Sequence, residues 1–215
     1  MKSDKLLIAA AVLLSVCACV LTWRNVADFA RSKRPPAPVM FVVDWQKYVQ
    51  AGERLGAKYP RVTILEFLDY ACGACRHFAP TLDTVLTEYP TDVAVVIRHL
   101  PILGVSSLFA ARAAVCANLQ GRFEAYHRML IRQAILLKDS LVVYASRVGV
   151  PDTLAFRSCM GRKGTALMVA ADVADADKLL VSATPTLLVN GDQYVGSQPL
   201  LEAIVERHLE RQQAP

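Results

Sequence analysis

An α/β fold is what the sequence predicts: a β-α-β unit, a block of helices, and then an α-β-β-α unit. Three observations carry that expectation. Short apolar runs rich in β-branched residues, Val62–Leu68 and Val93–Ile97, have the length of buried strands, and a third, Thr186–Val189, leads into the turn signal Asn190-Gly191. From Ser106 to about Gly161 apolar residues recur at helical spacing. The 215 residues are 54% hydrophobic and 20% charged, which excludes a disordered or fibrous chain and leaves enough material for one sizeable core.

The chain opens with Lys2 and Lys5 and then runs from Leu6 to Trp23, 18 residues, without a charge. That is the lower limit for a membrane-spanning helix and longer than the usual core of a signal peptide. It is also the single long apolar run, so a multispan membrane protein is excluded. Residues 1–23 are expected to be an uncleaved membrane anchor, held in the membrane through residues 6–23. A cleaved signal, leaving a secreted or periplasmic protein, is the alternative. Val16-Cys17-Ala18 fits the small-residue cleavage rule loosely, and with Cys19 it matches a lipoprotein box poorly. Cys17 and Cys19 read as small apolar residues of the span. Residues 24–43 read as a linker, stiffened by the charged, proline-rich stretch from Arg31 to Pro38.

The net charge of +5 belongs to this end of the chain. Residues 1–35 hold six cations (Lys2, Lys5, Arg24, Arg31, Lys33, Arg34) and two anions (Asp4, Asp28), which leaves 18 cations against 17 anions for the rest. A nearly neutral folded part does not read as a nucleic-acid binder. Arg24, Arg31, Lys33 and Arg34 follow the span, and positive charge favours the cytoplasmic side. The cysteine chemistry below argues for the opposite orientation, with the domain outside the cytoplasmic membrane.

Along the chain, Asp44 is a suitable N-cap for a short helix to about Ala51. Tyr59-Pro60 closes the lead-in to the strand Val62–Leu68. A helix from Cys75 to about Glu88, ended by Tyr89-Pro90, connects it to Val93–Ile97 as a right-handed βαβ unit with a parallel pair. The helical block reads as Leu108–Leu119, Phe123–Leu137 and Leu141–Val148, with Pro151-Asp152 opening another helix. Gly164 to Leu180 is a further helix. Thr186–Val189 and Gln193–Val195 flank Asn190-Gly191 as a hairpin. Pro199 starts a last helix whose Leu200, Leu201, Ile204, Val205 and Leu209 oppose Glu202, Glu206 and Arg207. Without the block, a thioredoxin-like layer remains: residues 44–105 and 164–213 form it, and 106–163 are an inserted helical subdomain.

Cys72-Gly73-Ala74-Cys75 falls just after a strand and at the start of a helix. A helix N-terminus carries partial positive charge and free N–H groups. Both stabilise the Cys72 thiolate, the form that attacks disulfides. Cys75, one turn on, is placed to resolve a mixed disulfide. Half a zinc site is the rival reading, but structural zinc wants four ligands, and the sequence holds no second pair of this spacing. Two inert buried cysteines are the other. No metal and no organic cofactor is expected.

The chain resembles the DsbA-type thiol:disulfide oxidoreductases of the thioredoxin-like superfamily. The matching stretches are Leu65-Glu-Phe-Leu-Asp-Tyr-Ala-Cys-Gly-Ala-Cys-Arg-His-Phe78, Arg98-His-Leu-Pro101, Ala113-Ala-Val-Cys-Ala-Asn-Leu-Gln-Gly-Arg-Phe123 and Thr184-Pro-Thr-Leu-Leu-Val-Asn-Gly191. Together they cover about residues 52 to 210. The resemblance implies a redox-active disulfide at Cys72 and Cys75, a cis-proline at Pro185, and a buried acid at Glu66. Thr184 and Pro185 would then offer backbone to an extended substrate peptide, and Glu66 would manage the proton of Cys75. Asp69 reads as the N-cap of the active-site helix, and His99 and His127 as structural. One departure matters. The strongly oxidising relatives carry a histidine between the cysteines, whereas Gly73-Ala74 offers neither charge nor side-chain donor, and His77 should point away from Cys72. A weaker oxidant is implied.

Cys116 and Cys159 read either as unpaired buried thiols or as a structural disulfide. The even cysteine count in an oxidising compartment favours the bond, and the resemblance adds that related chains often carry cysteines at these two places. The expected activity is donation of the Cys72–Cys75 disulfide to reduced exported polypeptides by a monomer. Its quinone-linked membrane partner is implied by the resemblance alone. Reductase, isomerase and non-catalytic binding module or chaperone are the alternatives.

Overall fold

The central strand explains the rest of the architecture, because a run of seven residues with every one buried must be covered on both faces. The computed structural model describes residues 36–212 together with Val20, Thr22 and Trp23. The chain falls into two units, Met1–Pro36 and Ala37–Pro215, and the second carries the sheet. Its strands are β1 (Met40–Phe41), β2 (Glu53–Gly56), β3 (Val62–Leu68), β4 (Val93–His99), β5 (Thr186–Val189) and β6 (Asp192–Val195). Its helices are α1 (Gln46–Val49), α2 (Gly73–Glu88), α3 (Val105–Asn118), α4 (Phe123–Leu130), α5 (Lys138–Arg147), α6 (Thr153–Cys159), α7 (Lys163–Lys178) and α8 (Leu201–Arg211).

The strands form one sheet in the order β1-β6-β5-β3-β4-β2. β3 and β4 are parallel, as the βαβ reading requires, and β5 runs antiparallel to β3 and to β6. Alternation along β3 sorts its side chains. Val62, Ile64 and Leu68 pack into the core shared with α2, α8 and the helices between β4 and β5. Leu65 and Phe67 pack into the smaller core with Val42, Tyr48, Ala176 and Leu179 on the opposite face. Glu66 follows the even positions, so its carboxyl faces the α2 side.

The edges depart from the sequence reading. β2 caps β4 antiparallel, with Leu55 opposite Val95. Its residues, Glu53-Arg-Leu-Gly56, carry no apolar run, because an edge strand is held through backbone pairing and buries one side chain in two. Gly56 is required there: its φ is +83°, and a Cβ would lie 2.7 Å from the Val93 carbonyl oxygen. Met40 and Phe41, expected in the linker, pair with Gln193 and Asp192 on β6. Asp44 does not cap α1. It takes a left-handed φ of 57°, and the helix starts two residues later, with Trp45 at its N-cap position.

α3 buries a face of small residues, Ala110, Ala113, Ala114 and Ala117, which lets the neighbouring helices approach closely. The helix expected to run from Phe123 to Leu137 stops at Leu130, where Arg132 and Gln133 turn back onto the carbonyls of Met129 and Leu130. Ile131 and Leu136 stay buried in the connection, so the apolar periodicity continues where the helix does not.

A buried ionic network fastens α7 to the sheet. Arg98 donates from Nε to Asp172 at 2.6 Å, from Nη2 to Asp175 at 2.6 Å, and from Nη1 to the Tyr48 carbonyl at 2.6 Å. The His99 N–H donates to the second Asp172 oxygen at 2.8 Å. Among the described residues no helix is long and apolar enough to cross a membrane. The expected anchor, residues 6–23, lies outside the described residues apart from Val20, Thr22 and Trp23.

Candidate active site

β3 ends at Leu68, and four residues later Cys72 takes the N-cap position of α2 in extended conformation, φ −71° and ψ 120°. Its sulfur therefore sits at the positive end of a 16-residue helix. Asp69 does not cap α2, contrary to the sequence reading. It stands three residues before the cap and is buried against the loop, where Oδ1 accepts from Ala71 N at 2.8 Å and Oδ2 from Leu103 N at 2.9 Å. Its carbonyl accepts from Cys72 N at 2.9 Å. Asp69 fixes the loop that presents Cys72, and it ties that loop to the segment after β4.

Across from Cys72, Thr184 and Pro185 are joined by a cis peptide bond. Cys72 Sγ donates to the Thr184 carbonyl at 3.3 Å. Gly196 N bonds the Pro185 carbonyl at 2.8 Å, and Thr186 Oγ1 bonds the Ala183 carbonyl at 2.8 Å. These contacts hold the loop beside the start of α2. The residues that the resemblance assigns to the site thus come together from three separate segments.

The two cysteines are free thiols with opposite surroundings. Cys72 is half-buried. Burial pushes its thiol up, but hydrogen bonds from the Thr184 side chain, from Cys75 and from the Ala74 backbone outweigh it and hold the thiol below its ordinary value. The Thr184 carbonyl acts the other way, because an acceptor favours the protonated thiol. Several donors at a helix end prevail over one acceptor. Cys75 is 1% exposed. Burial, with Glu66 nearby, pushes its thiol far above the usual range. Glu66 is 2% exposed, and burial, with a smaller contribution from Cys72, pushes its carboxyl up to about 8. The first sulfur is thus shifted towards the thiolate, and the second is held as a thiol beside a carboxyl that also favours its protonated form. Gly73, Ala74 and His77 are all exposed, so no spacer side chain reaches over Cys72.

His99 and His127 are both buried. His127 Nδ1 bonds the Tyr70 hydroxyl at 3.0 Å, and burial, with His99 and Arg128, pushes it down to about 3. Glu53, His99 and Asp172 bring one ligand-type atom each within 4.8 Å of one another, all buried. Arg98 already neutralises Asp172, and its guanidinium supplies the positive charge that a cation would bring. Cys116 on α3 and Cys159 on α6 are joined by a disulfide, with Cα atoms 5.9 Å apart. The sequence did not single out Asp83 and Arg128, which pair beside the cavity behind Cys75 although 45 residues separate them.

A Cys-x-x-Cys pair at the head of a helix, facing a cis-proline loop on this sheet, is the arrangement of a thiol:disulfide oxidoreductase. Comparison with known proteins agrees. A family model described as Thioredoxin matches residues 49–206. A thioredoxin-like oxidoreductase from Silicibacter pomeroyi DSS-3 superposes with a TM-score of 0.71 at 28% identity, covering 81% of this chain and 100% of that one. A periplasmic thioredoxin-like protein from Salmonella enterica serovar Typhimurium gives a TM-score of 0.69 at 28% identity, covering 80% of this chain and 99% of that one. The Na(+)/H(+) antiporter NhaA 1 of Salinispora arenicola is 36% identical over 145 residues, 66% of this chain and 22% of that protein. The chain spans about a fifth of the length of the curated relatives it matches. The chain belongs to the thioredoxin family.

Proposed function

We propose that this oxidoreductase donates a Cys72–Cys75 disulfide to reduced exported polypeptides during their oxidative folding. The observation that carries the reading is the division between the two sulfurs: Cys72 accessible and held below its ordinary pKa, Cys75 buried and held as a thiol. A substrate thiolate attacks Cys72 Sγ, the bond to Cys75 breaks, and the Cys75 sulfur takes up a proton. A second substrate thiolate then attacks the substrate sulfur of the mixed disulfide and releases Cys72 as a thiolate. A low-pKa thiolate is the better leaving group, which favours this direction. Glu66 supplies the proton to Cys75, and Thr184 with Pro185 aligns the peptide as an added strand.

The Cys116–Cys159 bond supports an oxidising compartment, as does the periplasmic relative. We place the domain outside the cytoplasmic membrane, tethered by residues 6–23, working as a monomer and reoxidised by a quinone-linked membrane protein.

The test mixes the oxidised protein with a reduced, unfolded substrate that has one native disulfide, and follows recovery of substrate activity. Recovery faster than in a glutathione buffer, abolished in Cys72→Ser, is the expected result. Gly73-Ala74, lacking any donor, is the observation that favours a reductase instead. No catalysed recovery, together with rapid insulin reduction and a potential at or below about −270 mV, would establish that second reading.

A further inference from the structure

Behind the cysteine pair lies a narrow, partly open cavity of about 10 Å³, roughly the space one water needs. Glu66 and Cys75 line it from β3 and α2. The sheet side of its wall is aliphatic, formed by Leu55, Val95 and Ile97. Its other charged lining residues are Asp83 on α2 and Arg128 on α4, which form an ion pair and are 33% and 36% exposed. Cys75, Ala79 and Asp83 follow one another at four-residue steps on one face of α2. Residues from both ends of that face, the buried thiol and Asp83 of the surface pair, thus line the one cavity. Arg132 also reaches Asp83, at 3.3 Å, and Glu124 reaches Arg128 at 3.3 Å. His127, the remaining titratable residue of the lining, is neutral, and its Nδ1 is engaged by Tyr70.

A buried thiol and a buried carboxyl that change protonation during turnover need a path to solvent. We infer that the Asp83–Arg128 pair is the outlet through which the proton shared by Cys75 and Glu66 exchanges with solvent, by way of a water in this cavity. The inference rests on the disulfide exchange proposed above. When the Cys72–Cys75 bond breaks, Cys75 takes a proton from the Glu66 carboxyl, and Glu66 is reprotonated from solvent through the water and Asp83. In the reverse step Glu66 first releases its proton to solvent by the same path, then takes the proton of Cys75 as the Cys75 sulfur bonds Cys72 and displaces the thiolate held there. One proton moves per disulfide in either direction. Asp83 and Arg128 are positioning residues: they touch neither sulfur, and Arg128 holds the Asp83 carboxylate at the mouth.

The test uses the full, reduced chain and an aromatic disulfide whose thiolate is coloured. Attack by Cys72 releases the first coloured thiolate, and resolution by Cys75 releases the second, so the two steps are read separately. Asp83→Asn should slow the second phase about tenfold or more near neutral pH, with an enlarged solvent deuterium isotope effect. The first phase and the Cys72–Cys75 potential should not move, and Asp83→Glu should restore the rate. Ala79→Val, which fills the cavity with Asp83 intact, should slow the same phase. A second phase at the wild-type rate in either Asp83→Asn or Ala79→Val overturns the outlet, and so does equal slowing of both phases. Glu66→Gln separates the two claims: a normal second phase there, with Asp83→Asn slow, removes Glu66 as the carrier and keeps the outlet. Absence of the first phase in the wild type removes the exchange reading itself.

Discussion

Replacing Glu66 with glutamine keeps the shape of the side chain and removes its titration. The folded protein holds this carboxyl at about 8, against an ordinary 4.5, with burial as the main cause. A carboxyl with a raised folded-state pKa binds its proton more tightly in the folded chain than in the unfolded one. Its contribution to stability is therefore intact below about 4.5 and is lost progressively as pH rises towards 8. Integrating that linkage, wild type loses about 2.5 kcal/mol between about pH 5 and about pH 7, a loss that Glu66→Gln escapes. The assay is urea unfolding of both proteins across this range, reported as variant minus wild type so that the other titrating groups cancel. The difference should climb with pH and flatten above about 8. It should climb less in the oxidised protein, where Cys72 carries no thiolate to oppose the carboxylate. A difference that stays flat between pH 5 and 8 would refute the claim that Glu66 is a buried, proton-holding carboxyl, and with it the proton role assigned to it.

Other consequences are open to simpler measurements. After reduction, iodoacetamide at mildly acidic pH should label Cys72 well before Cys75, read by mass spectrometry, and Cys75→Ala should accumulate mixed disulfides with substrate; labelling of Cys75 first would reverse the roles. Ala74→His should lower the Cys72 pKa and raise the potential by some tens of millivolts, about 30 mV for each 1.4 kcal/mol of added thiolate stabilisation, measured against glutathione from a wild-type value of roughly −230 to −140 mV. The Cys116→Ala/Cys159→Ala double variant should unfold with about 4 kcal/mol less stability, the chain-entropy value for a loop of this length, while the Cys72 alkylation rate stays unchanged. Asp172→Asn, which leaves Asp175 as the charged partner of Arg98, should destabilise by less than the about 3–5 kcal/mol that a fully unpaired buried charge costs, seen as a lowered denaturation midpoint.

What the amino-acid pattern reveals depends on how local the cause is. β3 and β4 announce themselves because central strands buried on both faces are largely apolar, and Glu66 stands out as the one charge in β3. The cysteine pair is found by its place between strand and helix. Cys116 and Cys159 could be read either way, because their bond depends on how closely α3 and α6 pack, which no spacing encodes. β1 and β2 escape notice because edge pairing uses backbone groups that every residue possesses. Asp69 looks like a cap, since aspartate before a helix usually is one; of its two actual partners, the Ala71 N–H is in the same loop and the Leu103 N–H lies 34 residues downstream. The Asp83–Arg128 pair resembles ordinary surface charge until the fold brings α2 and α4 together over the cavity.

Depth in the fold, more than residue type, makes the two active-site sulfurs different. Cys72 and Cys75 are the same chemical group three positions apart, yet one ends its strand-to-helix loop at the surface and the other faces the core one turn in. For Cys75 and Glu66 alike, burial is the first cause of the upward shift, so both disfavour charge and one proton can serve either. Cys72 escapes because the donors around it, at the helix end and on Thr184, compensate for its partial burial. A change that hydrates the Cys75 side of α2 should therefore narrow the gap between the two thiols without touching either sulfur. A change at Thr184 should narrow it from the other side, by removing a donor from the Cys72 thiolate. The two routes are separable, since the first lowers the Cys75 pKa and the second raises that of Cys72. In the exchange proposed above, a fold that keeps one sulfur wet and the other dry divides a symmetric dithiol into a nucleophile and its resolving partner.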